Sequence, residues 1–247
     1  MNCRLTGILT ALFFLIACDK NPVPVMGGHT VLEVDIKELS GLCFNNDSSA
    51  LLACGDKGVV KSVTFTSEVT EMWTSPSDME GITIDPSTGD IYLAIEGKQE
   101  IHVLKAPACS SQEVAFAVKE AVDGNYDNSG LEAVEYYKDG ILFVGSQKNA
   151  NLWQYAMDGT MISKVSLSSF ASEIAGLCYD PQSGRLWVTD SKKAKIFVCT
   201  PEGNLLATYD ISYIDNAESI CVDRSHDCVW VGSDEDSTKL YRISFTF

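Results

Sequence analysis

Basic residues and histidine are scarce in this chain. Lys and Arg together number 18 in 247 residues against 34 Asp and Glu, leaving a net charge of −16. A surface that acidic repels phosphate backbones, so no nucleic acid partner is expected. The three histidines, His29, His102 and His226, lie far apart in sequence. Gly-x-Ser-x-Gly, Walker A and His-Glu-x-x-His patterns are all missing, which removes the commonest signatures of serine hydrolases, nucleotide-binding enzymes and zinc proteases. With no Cys-x-x-Cys pair and no Cys/His cluster, a structural zinc site is not expected. Long apolar runs are scarce too. The one from Ile8 to Ala17 is about half the length that crosses a bilayer as a helix.

What is present begins with that short run. Arg4 precedes it and Leu15-Ile16-Ala17-Cys18 ends it, a pattern that resembles the lipobox of bacterial lipoproteins. The resemblance implies a signal peptide over 1–17, lipid on Cys18, and a protein tethered to a membrane of the bacterial cell envelope, outside the cytoplasm. Residues 18–28, with two prolines and two glycines, read as a tether. The rest, 29–247, is one folded domain, because 45% apolar residues are too many for a disordered chain. Cys43, Cys54, Cys109, Cys178, Cys199, Cys221 and Cys228 remain after the leader, and most fall in apolar strand-like runs, where a thiol behaves as a small hydrophobe. A bridge between Cys221 and Cys228 would be structural.

Internal repetition is the strongest signal. Leu39-Ser40-Gly41-Leu42-Cys43-Phe44, Met79-Glu80-Gly81-Ile82-Thr83-Ile84, Leu131-Glu132-Ala133-Val134-Glu135-Tyr136, Ile174-Ala175-Gly176-Leu177-Cys178-Tyr179 and Ala217-Glu218-Ser219-Ile220-Cys221-Val222 align at intervals of 40, 52, 43 and 43 residues. Each leads into a turn such as Asp180-Pro181-Gln182-Ser183-Gly184 and then two more β-rich runs. Four strands every forty-odd residues describe a β-propeller blade. The last repeat has three strands before Phe247, and an orphan strand, His29 to Ile36, precedes the first. The expected fold is therefore all-β, a five-bladed propeller closed by an N-terminal outer strand that completes the last blade. The alternative of six blades needs roughly thirty more residues in the 52-residue interval. Trp153, Trp187 and Trp230 read as packing between blades.

The run from Arg185 to Val198, followed by Pro201-Glu202-Gly203-Asn204, resembles an NHL-type propeller repeat. With the recurring Glu-Gly-Ile element and the lipobox, the chain resembles the SdiA-regulated family of bacterial envelope proteins, also grouped with TolB-like propellers. That resemblance implies a propeller in the envelope and no particular reaction. Ser40 and Ala175 stand where other repeats have glutamate, so a fully symmetric ring of ligands is not expected.

In a propeller, the loop entering the innermost strand and the loop leaving the second strand share one face. Glu80, Glu132 and Glu218 then meet Asp56, Glu96, Asp190 and Asp234 around one channel mouth. At a separation of roughly 8 Å, each ionised glutamate pair would repel by about 2 kcal/mol. A proton, a nearby Lys57 or Lys98, or a bound cation must relieve this. The oxygen-only donor set suits Ca²⁺. The competing expectation is that these glutamates hydrogen-bond amides of the adjacent blade. A loop at 124–128 is a further candidate source of oxygen ligands. The leading functional expectation is a membrane-anchored binding module, monomeric, calcium-bearing, with an envelope protein, peptide or glycan as ligand. The alternative is a metal-dependent hydrolase acting on a phosphoester or lactone, with a glutamate as base.

Overall fold

The computed structural model describes residues 22–123, 129–235 and 238–247. Cys18, the apolar leader and the 124–128 loop lie outside the described residues. One long strand, β1 (Val25–Glu33), opens the domain. The first blade is β2 (Leu39–Phe44), β3 (Leu51–Gly55), β4 (Val59–Val63) and β5 (Val69–Thr74). The second is β6 (Met79–Ile84), β7 (Ile91–Ile95), β8 (Glu100–Leu104) and β9 (Gln112–Ala117), after which a short helix, α1 (Lys119–Asp123), occupies part of the long interval. The third is β10 (Leu131–Lys138), β11 (Ile141–Ser146), β12 (Asn151–Ala156) and β13 (Met161–Ser166). The fourth is β14 (Gly176–Asp180), β15 (Arg185–Asp190), β16 (Lys195–Cys199) and β17 (Leu205–Asp210). The last has β18 (Ala217–Asp223), β19 (Cys228–Ser233) and β20 (Lys239–Thr246).

Each blade is an antiparallel four-stranded sheet, and the last takes β1 as its outer member, in the order β1, β20, β19, β18. The innermost strands β2, β6, β10, β14 and β18 pack in a closed ring. The expected five-bladed propeller is therefore the observed architecture. Second strands such as β3, β7 and β19 are buried along their whole length, which is why they read as continuous apolar runs; outer strands such as β13 alternate exposed and half-buried residues. Trp153, Trp187 and Trp230 are at most 1% exposed and belong to the inter-blade core.

Closure differs in detail from the sequence reading. The pairing strand begins at Val25, opposite Thr246, and ends at Glu33, opposite Lys239. Val34 and Ile36 leave the ladder to bury in the apolar cluster around Leu39 and Trp230. Upstream of the strand, the Pro22 and Pro24 carbonyls accept hydrogen bonds from Arg185 and Tyr209. That end of the expected tether is thus fastened to the fourth blade. The seven described cysteines are free, and all but Cys109 are buried. Cys221 faces Trp230 across the ladder while Cys228 faces Asp223, so the two thiols considered for a bridge are not partners.

Small residues close the axis. A Cβ on Gly41 would lie 2.9 Å from the Gly81 Cα, and one on Gly81 would lie 2.9 Å from the Ala133 Cα. On Gly176 it would lie 3.0 Å from the Ser219 Cα. Only glycine, alanine and serine at this level allow the inner strands to approach so closely. The axis at this level narrows to a cavity of about 10 Å³, with a pit on each face.

Candidate functional site

One pit is acidic, and a repeated backbone irregularity builds it. The pairing register slips between Leu39 and Gly41, Met79 and Gly81, Leu131 and Ala133, and Ala217 and Ser219. Ser40, Glu80, Glu132 and Glu218 are each the extra residue of a β-bulge, a device that re-aims a side chain at a strand end. In the fourth blade, β14 starts only at Gly176 and leaves Ala175 outside it.

The three glutamates converge. One carboxylate oxygen from each of Glu80, Glu132 and Glu218 lies within 4.8 Å of the other two, and Asp56, Asp78 and Glu80 form a second such group. Glu80 is 7% and Glu132 5% exposed, while Glu218 is half-buried. At this separation an ionised pair repels by at least about 3 kcal/mol at an effective dielectric of 20, more than the sequence-based spacing implied. Burial, then the neighbouring Glu132, drives the Glu80 carboxyl far above the ordinary carboxylate range. Burial and then Glu96 do the same to Glu132, which shares a hydrogen bond with Glu96. Burial, with Asp234 and Glu173 next, pushes Glu218 up to about 8. A proton or another cation must therefore sit among them at neutral pH. The cavity lined by Ser40, Glu80 and Glu132 is about 10 Å³, near the smallest space that holds one water.

The other expected ligands divide. Asp56 joins the pit; it accepts a hydrogen bond from the Ser40 hydroxyl, and burial raises its carboxyl. Glu96 also lines the cluster, but one of its oxygens accepts the Gly130 N–H at 3.2 Å, and burial raises it as well. Asp234 is half-buried and acts on Glu218 electrostatically. Asp190 is turned away from the axis. Its two oxygens accept the Ser172 N–H at 2.6 Å and the Lys193 N–H at 2.9 Å, which makes it a clamp for its own loop. Ser146 and Ser233, each donating to a carbonyl of the hairpin it sits in, behave likewise. Lys57 pairs with Glu38 at 2.6 Å, so its charge is directed at the rim, and Lys192 similarly pairs with Glu173.

Sequence reasoning missed Asp78, Glu38 and Glu173, which lie two positions before Glu80, Ser40 and Ala175, the aligned residues of their repeats. Blades one and four lack a glutamate at the aligned position and carry one here instead. The signal was present as a second column of the same repeat alignment.

The opposite pit was also missed. It is an open bowl of about 480 Å³, walled by turns such as 180–182 and floored by Cys43, Glu135, Cys178 and Cys221. With Thr83, which also lines the bowl, these occupy the position three residues after Ser40, Glu80, Glu132, Ala175 and Glu218 in the five repeats. The histidines join neither cluster of carboxylates: His29 stacks on Tyr213, His102 bonds Glu100 and Gln112, and His226 bonds Asp223 on the bowl side.

The fold is shared with proteins of different kinds. A glutaminyl cyclase from Myxococcus xanthus superposes with a TM-score of 0.65 at 11% identity, over 90% of this chain and 96% of that one. A chain of a nidogen/laminin complex gives 0.58 at 16%, covering 85% and 86%. A streptogramin B lyase gives 0.54 at 16%, covering 88% and 72%. No curated protein matches the chain at significant similarity. The sequence profile described as SdiA-regulated matches residues 149–246. That segment holds the outer half of the third blade and all of the fourth, with three strands of the last. The family resembled by the repeat and the leader is thus the one whose profile residues 149–246 match, on a five-bladed β-propeller.

Proposed function

We propose that this protein is a binding module of the bacterial cell envelope, held at a membrane by lipid on Cys18, with a Ca²⁺ ion at the acidic pit. Its loops present the ring to an envelope protein, peptide or glycan. The observation that carries the cation site is the convergence of Glu80, Glu132 and Glu218 from three blades to within 4.8 Å. These carboxylates meet one another at the axis, whereas Glu96, Glu173 and Asp190 accept backbone N–H groups. Of these, Glu96 bonds an amide of the next blade, and Glu173 and Asp190 bond amides of their own. Asp56 and Asp78 supply further oxygens beside Glu80, and such irregular, all-oxygen surroundings suit Ca²⁺ better than Mg²⁺.

The hydrolase reading has less to rest on. Among the described residues, no histidine stands beside the carboxylates to share acid–base work. The described histidines are engaged elsewhere.

Thermal unfolding at pH 8 tests the site. Millimolar Ca²⁺ should raise the melting temperature above that in EDTA, and Glu132→Gln should remove most of that gain. No response to Ca²⁺ at about 10 mM, a concentration that saturates even weak extracellular sites, ends the calcium reading. Cys18→Ser should move the protein from the membrane to the soluble fraction; retention on the membrane would end the anchor.

A further inference from the structure

The bowl carries a second, independent site. Its floor is Glu135 on β10, which is 8% exposed. One Glu135 oxygen accepts the Tyr179 N–H at 2.9 Å and the other accepts the Thr83 hydroxyl at 3.1 Å, tying three successive inner strands. A carboxylate offers about four acceptor positions, so two remain after these bonds. Both bonding partners are uncharged, and burial pushes the Glu135 carboxyl up to about 8.

The other charged side chains lining the bowl bond to groups of the surrounding turns. Arg224 grips Asp180 through two nitrogens and lies over the Phe247 ring at 4.4 Å. Asp223 accepts from Ser225, His226 and the Trp230 indole. Glu135 is the buried carboxylate of the floor, and its partners, the Tyr179 N–H and the Thr83 hydroxyl, are neutral. Aromatic rings stand in the walls: those of Tyr137 and Tyr179 meet edge-on at 4.7 Å, the Lys138 ammonium lies 4.7 Å over the Tyr137 ring, and Phe44 and Tyr136 also line the bowl. Thiols share the floor with Glu135; burial raises Cys43, and a hydrogen bond with Cys178 followed by burial raises Cys221, well above the ordinary thiol range.

We propose that the bowl binds a small organic amine in its protonated form, an ammonium group on an apolar or aromatic body, with the ammonium on Glu135 and the body against the tyrosines. A buried carboxylate whose partners are neutral attracts a cation that donates hydrogen bonds, and π-faces add to the attraction. The volume is that of an ordinary small-molecule pocket. This site shares no residue with the acidic pit and stands whether or not that pit holds Ca²⁺.

Isothermal titration in EDTA at a pH above the Glu135 value of about 8, with 2-phenylethylammonium against its neutral counterpart 2-phenylethanol, provides the test. The amine should bind saturably and at least about tenfold tighter than the alcohol. Glu135→Gln should bring the amine to the level of the alcohol, and Glu132→Gln, in the other pit, should leave it unchanged. Should Glu135→Gln not fold, Tyr137→Leu at the half-buried wall supplies the reading: amine affinity several-fold weaker supports the site. Equal binding of amine and alcohol, no saturation by about 10 mM, or an unchanged affinity in a folded Glu135→Gln or in Tyr137→Leu would overturn it.

Discussion

At Glu132 burial and charge conflict most directly. The residue is 5% exposed, hydrogen-bonded to another glutamate and close to two more. Replacing it with glutamine removes a charge that the folded state holds only with difficulty. Glu132→Gln should therefore raise the melting temperature in EDTA at pH 8, change it little at pH 5, and weaken Ca²⁺ binding. A drop in stability at pH 8 would mean that the carboxylate serves as a structural acceptor. A different constraint acts at Gly81, whose added Cβ would lie 2.7 Å from the Val134 nitrogen. Gly81→Ala should cost about 1–3 kcal/mol in denaturant unfolding, the usual result of overpacking. The glutamates that matter were legible because they recur at one position of the repeat. Asp78, Glu38 and Glu173 stand two positions earlier, a second column of the same alignment that is filled in only three of the repeats and so is harder to see. Asp190 was placed on the correct face, but which way its oxygens turn depends on amides contributed by residues 172 and 193.

The strands themselves were largely legible, since turn residues separate short apolar runs at a nearly constant spacing. The start of β1 was not. Pro22, Pro24, Gly27 and Gly28 have the composition of a linker, yet the strand runs from Val25 and the carbonyls before it are held by Arg185 and Tyr209. Those two contacts span more than 160 positions in sequence, a distance over which local composition carries no information. The same element closes the ring, and without it β20 becomes an open edge that invites association. Deleting residues 22–33 should yield a chain that aggregates or unfolds over a broad range, measured by light scattering and melting. A truncated protein that stays monomeric and melts as sharply as the intact one would contradict closure by β1.

For the whole molecule the two pits give two poles. β20 runs from the acidic face to the bowl face, and Val25 pairs with Thr246 at its far end. The chain therefore enters the propeller on the bowl side, and four residues from Cys18 to Pro22 reach at most about 14 Å. With lipid on Cys18 as proposed, the acidic pole points away from anionic headgroups. A fluorophore placed at position 182 on liposome-bound protein should then be quenched by a headgroup quencher more than one at position 57; the reverse order would contradict this orientation. Proton linkage follows from the same acids. A carboxyl raised in the folded state binds a proton that the unfolded chain, titrating near 4.5, has already released. Each such group thus lowers stability as pH rises from about 5 towards its folded value, by on the order of a kcal/mol per unit. Glu218 and Glu135 complete this loss near 8, and Glu80 and Glu132 extend it further up. Melting in EDTA should fall steadily from pH 5 to 8, and a flat profile would contradict the burial of ionisable acids at both pits.

The most direct measurement is calorimetric titration of Ca²⁺ at pH 7 in two buffers of different ionisation heat. If Glu80, Glu132 and Glu218 share protons that an incoming ion displaces, binding should release at least about one proton, and the observed heat should change with the buffer accordingly. Binding with no buffer dependence, or no binding, would contradict a single axial site built from the three blades.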